Sequence, residues 1–135
     1  MPRNLYVNLP VKDLERSVDF FEALGFSFNP TFTNEHAACL VINERTGVML
    51  LAESYFAGFT RKPVADAHVS TETLLALSLD SRAEVEAFMA RALAAGASPT
   101  IESKDYGFMY QHGFADPDGH QWEVFWMDAS AMPGA

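Results

Sequence analysis

Asp116-Pro117-Asp118-Gly119-His120-Gln121-Trp122-Glu123-Val124-Phe125 reads as a tight turn feeding a β-strand that carries one carboxylate among apolar neighbours. Proline presets the turn backbone, and Asp-Gly supplies its positive-φ corner. Side chains alternate along a strand, so Glu123 points to the face opposite Trp122 and Val124. A carboxylate in so apolar a strand needs a reason. Three are open: a metal ligand, a polar group in a cavity, or a structural charge paired with a cation such as Arg45.

Outward from this strand, one order of elements occurs twice. In the first half a strand at 5–9 leads through Pro10 to a helix with Asp13 at its N-cap. Leu14, Val18 and Phe21 form its apolar face, and Gly25 ends it. Strands are expected at 26–32, 37–43 and 48–53. In the second half a strand at 74–80 precedes a capping box, Ser81-Arg82-Ala83-Glu84. Val85, Phe88, Met89 and Ala92 supply the helical face, and Gly96 stops the helix. Strands follow at 98–103, 108–114 and 121–127, and residues 128–135 form a small polar tail expected to fray. The chain is thus a single domain, 1–135, with units at 1–53 and 73–128 joined by a linker at 54–72. A connection of that length inside a small domain is functional or packs on something. Its Tyr55, Phe56 and Phe59 favour packing, over a cleft mouth or at a subunit contact.

The 135 residues suffice for one core, and 49% hydrophobic with 20% charged residues fits a compact soluble protein. No apolar run is long enough to span a bilayer, so no membrane partner is expected. The opening residues lack the apolar region of a secretion signal, which makes a cytoplasmic location the expectation. Cys39, the only cysteine, lies in an apolar strand and reads as a buried inert thiol. The net charge of −9 argues against nucleic acid and is compatible with a cationic small molecule.

The segment 8–26 and the closing turn and strand together resemble the vicinal oxygen chelate superfamily, which includes glyoxalase I, bleomycin resistance proteins, fosfomycin resistance proteins and extradiol dioxygenases. The resemblance covers nearly the whole chain. It implies an α+β fold in which two βαβββ units form a cup-shaped mixed sheet, and it implies a homodimer. It also implies metal ligands on the first and last strand of each unit, which in this sequence are Asn8, Leu51, Ala76 and Glu123. The first-strand histidine usual in the superfamily is here Asn8. Glu123 is the only residue that matches a ligand position, whereas a catalytic metal needs three or four N, O or S donors. No cofactor is therefore expected, and a divalent metal is disfavoured.

The histidines offer no local metal motif, since no two stand at i, i+2 or i+4. His36 and His68 read as surface residues, and His120 as a support of the hairpin by hydrogen bonding. Phe108, Tyr110, His112 and Phe114 share one face of their strand by alternation. If that face lines the cup, Tyr110 and His112 join Asn8, Glu123 and Phe125 as the ligand-binding set.

Two functions follow. The first is a metal-free small-molecule-binding protein, similar to bleomycin resistance proteins, that sequesters a cationic or aromatic compound. Glu123 then faces a cationic or polar group of the ligand. The alternative is a glyoxalase-like lyase or dioxygenase-like enzyme, with Glu123 as metal ligand or general base. In that case Tyr110, His112 or Asn8 would donate hydrogen bonds to an enolate. Whether the chain is an enzyme is left open by the sequence.

Overall fold

A computed structural model describes residues 2–131. The end of the tail, 132–135, lies outside the described residues, and 129–131 form a short 3-10 turn. The chain divides into two compact units, Met1–Asp66 and Ala67–Ala135.

In the first unit, β1 (Leu5–Val11) is followed by α1 (Leu14–Ala23), β2 (Phe28–Asn29), β3 (Ala37–Asn43), β4 (Thr46–Ala52) and α2 (Glu53–Ala57). The sheet order is β1-β4-β3-β2, with β1 parallel to β4 and the other pairs antiparallel. Pro10 lies inside β1 rather than ending it, which an edge strand with one partner tolerates. Asp13 caps α1 as expected, accepting from the Arg16 backbone N–H at 3.1 Å. The buried stripe of α1 is not Leu14, Val18 and Phe21. It runs through Ser17, Phe20 and Phe21 to Leu24, with Leu14 and Val18 half-buried at its flank. The adjacent rings of Phe20 and Phe21 with Leu24 outweigh Val18, and the small Ser17 lets the helix approach the sheet.

Strand 26–32 is cut short. Pro30 has no N–H to pair, and the Asn29 side chain takes the Thr31 N–H at 3.0 Å, so 30–32 turn into a 3-10 segment. At the other end β4 stops at Ala52 and Glu53 opens α2, so part of the expected linker is helical. Leu9, Val11, Ala38, Leu40, Val48 and Leu50 share one face of this sheet and are all buried. Helix α1 packs on the sheet against β3 and β4.

The second unit contains β5 (Leu74–Ser78), α3 (Arg82–Ala94), β6 (Ser98–Pro99), β7 (Lys104–Asp105), β8 (Met109–Ala115) and β9 (Gln121–Met127). Its order is β5-β9-β8-β6, β7 also pairs with β8, and β5 runs parallel to β9. The capping box forms: Ser81 Oγ accepts from the Glu84 N–H at 3.1 Å, and Glu84 reaches back to the Asp80 N–H at 2.9 Å. The α3 face is the expected one, Val85, Phe88, Met89 and Ala92. Of the strand expected at 98–103 only Ser98–Pro99 forms, because Pro99 cannot donate to a ladder, and the short β7 pairs with β8 beyond it. The core beneath α3 is aromatic. Phe88 meets Phe114 at 6.0 Å, and Phe114 stacks on Trp122 at 6.4 Å with planes 4° apart.

Each unit is a helix on a mixed sheet, the first in the expected βαβββ order and the second in that order with the two-residue β7 added, and the class is α+β. No helix among the described residues is long and apolar enough to cross a membrane.

Candidate functional site

The face of the first sheet opposite Leu40 and Leu50 holds a cavity of about 360 Å³. Its floor is Asn8 on β1, Ala37 on β3, and Met49 and Leu51 on β4. Strand pairing brings these together: Asn8 is in register with Met49, and Ala37 with Leu51. Above the floor stand the rings of Phe32, Tyr55 and Phe59, with Thr31 and Asn34 completing the lining.

Local sequence places each wall. Tyr55 and Phe59 are four residues apart, so the turn of α2 and its continuation past Gly58 put both rings on one side. They meet edge to face, 5.2 Å apart at 86°. His36 stacks on Tyr55 at 5.7 Å and 20° from outside the cavity lining. The rings remain open to solvent, Phe59 at 71%, Phe32 at 54% and Tyr55 at 43% exposed. Asn34 Oδ1 accepts from the His36 and Ala37 N–H groups at 2.8 and 3.1 Å, which fixes the turn into β3 and leaves Nδ2 as a donor.

Of the three linker aromatics, Tyr55 and Phe59 lie over a cleft on the first unit, one of the two options open for them, and Phe56 is not in its lining. Phe32, Met49, Thr31 and Asn34 were missed in the sequence. The signals that could have found the first of these are Asn29-Pro30 and Asn34, which break the strand expected at 26–32 and free Phe32 to stand over the sheet.

Cys39 lies on the same sheet face as Ala37 and Met49 but is only 3% exposed. Burial raises its thiol pKa, because the thiolate would lose its water. The thiol is expected to react with Ellman's reagent only after denaturation. Rapid labelling of the native protein would refute this.

The second unit separates the other candidates. Glu123 is in register with Ala76 on β5 and Gly113 on β8, so its face carries Ala76, Gly113, Phe125 and Gln121. Tyr110, His112 and Phe114 pair with Trp126, Val124 and Trp122 on the opposite face, toward α3. The expected union of Tyr110 and His112 with Glu123 and Phe125 is thus corrected by the β8–β9 register. Odd-numbered β8 residues share the Glu123 face, and a strand has only two faces. Tyr110 is buried and covered by the Arg82 guanidinium, 4.1 Å above its ring. Arg82 is held there by Asp105, at 2.7 Å. Asn8 belongs to the other unit, on the cavity floor.

The Glu123 side chain is half-buried and makes no hydrogen bond or ion pair among the described residues. The structural pairing with a cation is therefore absent there. The place a side chain would take at Gly113 is filled by Thr100, whose Oγ1 lies 2.7 Å from an ideal Cβ.

A metal does not fit the residues present. Asn8 is flanked in register by Met49, with Leu51 two positions further along β4. Glu123 is flanked by Ala76. One amide in the first unit and one carboxylate in the second, each beside apolar side chains, do not make a three-donor set. Moving the slot from Leu51 to Glu53 does not help, because Glu53 has left the strand for α2 and is exposed. Of the histidines, His36 and His68 are exposed, and His120 donates its backbone N–H to Asp116 Oδ1 at 3.0 Å in the hairpin.

Comparison with known proteins agrees with this architecture. Residues 3–43 match the family described as bleomycin resistance protein-like N-terminal. A hypothetical protein from S. aureus is 26% identical, with a TM-score of 0.79 over 93% of this chain and 94% of that one. A glyoxalase-related enzyme from Fulvimarina pelagi is 23% identical, with a TM-score of 0.79 over 93% and 88%. An antibiotic binding protein from Streptomyces sp. CB03234 is 22% identical, with a TM-score of 0.67 over 94% and 97%. No curated protein matches the sequence significantly.

Proposed function

We propose that this chain, whose fold is that of the vicinal oxygen chelate superfamily, binds and sequesters a small molecule carrying an aromatic ring system, without a resident metal. The observation that carries this reading is the cavity on the first sheet, with apolar strand residues beneath and three exposed rings above. Its volume is in the range of small-molecule sites. Rings left open to water are costly to keep exposed and gain on covering a flat ligand. An antibiotic binding protein of the same fold supports sequestration of a harmful compound as the role. The poor donor set at the inherited positions supports the absence of a metal. A homodimer belongs to this reading, and sedimentation equilibrium measures it.

A second reading is favoured by one feature, the unpartnered Glu123 carboxylate on the open face of the second sheet. It supports a role as anchor for a cationic group, or as a general base in an enzyme of the glyoxalase type.

The test is calorimetric titration of chelator-treated protein with a panel of planar aromatic compounds, antibiotics included. Binding without metal is expected. Replacing both Tyr55 and Phe59 with alanine is expected to weaken it by about thirtyfold, roughly 1 kcal/mol for each ring. Both side chains are exposed, so stability should change little. Binding that requires added metal, or turnover of the bound compound that Glu123→Gln abolishes, would move the enzyme to first place.

A further inference from the structure

We infer that the cavity of the first unit selects an uncharged planar aromatic with a hydrogen-bonding edge, such as an aryl amide or phenol, and discriminates against the same ring bearing a charge. This rests on the cavity being the binding site, as proposed above. Every lining side chain is neutral: amides at Asn8 and Asn34, a hydroxyl at Thr31, a thioether at Met49, and otherwise hydrocarbon or aromatic rings. Neither an anion nor a cation lines the site to replace the water that a charged ligand group would lose.

The neutral polar groups are available. The Asn8 side chain makes no hydrogen bond among the described residues, and the Thr31 hydroxyl makes none either. The Asn34 oxygen is fully used by the two backbone N–H groups it accepts, so what it offers the cavity is a donor. Asn8, an amide with both donor and acceptor, lies on the floor beside Met49. A ligand edge that both donates and accepts a hydrogen bond, as an aryl amide or a phenol does, is complementary to this set.

Three rings could instead make a cage for an organic cation, which is attracted to ring faces. The ring geometry opposes this. One face of Tyr55 is taken by the His36 stack, and Tyr55 and Phe59 are set edge to face on each other. The pair presents a wall to a flat ligand rather than converging faces to a point charge. At exposed rings the cation–π gain is also small, whereas an unpaired charge brought against the Ala37, Met49 and Leu51 floor loses more hydration than it recovers.

The experiment keeps the ring constant and varies only the charge. Naphthalene-2-carboxamide, 2-naphthylmethylammonium and 2-naphthoate are titrated calorimetrically into the full chain at neutral pH. The carboxamide is expected to bind at least tenfold more tightly than either ion. Asn8→Leu is expected to weaken the carboxamide by about tenfold and leave 2-methylnaphthalene unchanged. Asn8 is exposed, so the variant should fold, and circular dichroism checks that. If the ammonium or the carboxylate binds as tightly as the carboxamide, the charge selectivity is wrong while the cavity stays a ligand site. If none of the four probes binds, or Tyr55→Ala with Phe59→Ala changes nothing, the cavity reading falls and this inference with it.

Discussion

Replacing Asp116 with alanine should destabilise the protein by about 3 kcal/mol, because two buried donors and one half-buried donor lose their acceptor at once. Asp116 is 5% exposed. Its Oδ1 accepts from the Asp118 and His120 N–H groups at 3.0 Å each, and its Oδ2 from Trp122 Nε1 at 3.1 Å. The carboxylate thus ties the turn backbone to the ring at the centre of the second core. One unsatisfied buried donor costs about 1–3 kcal/mol, so three would cost more than the expected figure. Part is offset because alanine removes a carboxylate that burial makes expensive to ionise. For a chain of this size the loss corresponds to a fall in Tm of about 10 °C. Denaturant unfolding of the variant measures it, and a loss below about 1 kcal/mol would show that water takes over the three donors.

The same burial gives Asp116 an unusual pH signature. Loss of water around the charged form raises its pKa above the ordinary 3.8. The His120 charge and the hydrogen bonds from Trp122 and Asp118 oppose this, and the Asp118 charge adds to it. The folded chain then holds a proton that the unfolded chain has released. Stability from this group is therefore full below the unfolded value of 3.8 and is lost as pH rises through the higher folded value. Measured against Asp116→Asn, which does not titrate, the wild type should lose relative stability on going up through that window. An opposite slope would mean that the hydrogen bonds outweigh burial.

Gly119→Ala should cost nearly as much, about 3 kcal/mol, for a different reason. Gly119 is at φ +85, and an added Cβ would stand 2.7 Å from the His68 backbone nitrogen and 2.9 Å from the Ala67 carbonyl carbon. Those atoms belong to a chain segment packed on the turn, so they cannot swing aside as a side-chain tip would. The left-handed backbone itself costs roughly 1–2 kcal/mol for a residue with a Cβ, and the clash adds a similar amount. Gly96→Ala is the control that separates the two contributions. Gly96 has φ +108 but nothing within 4 Å of a Cβ, so it should cost only the backbone share. Equal losses at the two glycines would mean that the segment at Ala67 and His68 yields freely.

Much of the architecture was legible because it depends on local chemistry. Asp13 and Ser81 as caps, Gly25 and Gly96 as stops, and the hairpin at Asp116–Gly119 each act within a few residues, and each is in place. The errors sit where a local rule has a competitor. Strand 26–32 yielded to Pro30 and the Asn29 side chain, and 98–103 yielded to Pro99. The α1 stripe was placed one step around the helix, since Leu14 and Val18 satisfy the same periodicity as Ser17, Phe20 and Leu24. The role of Asp116 in the same closing stretch is visible only once its three donors converge on the carboxylate.

The sequence by itself determined the class and order of the elements, the resemblance that follows from them, and that Glu123 is the one carboxylate among Asn8, Leu51, Ala76 and Glu123. These depend on residue identity and short-range spacing. Tertiary structure alone decided which residues share a site. Alternation says that Tyr110, His112 and Phe114 go together and that Glu123 opposes Trp122, but not which of the two sets faces α3. That choice is made by the β8–β9 register, which pairs Glu123 with Gly113 and turns Tyr110 and His112 toward the helix. The cavity is likewise a product of pairing at a distance: Asn8 meets Met49 across 41 positions of sequence through the parallel β1–β4 ladder, and α2 then folds Tyr55 and Phe59 over them. Side-chain periodicity is a property of one strand, whereas a binding face belongs to the sheet, and hydrogen-bond register is the physical link between the two.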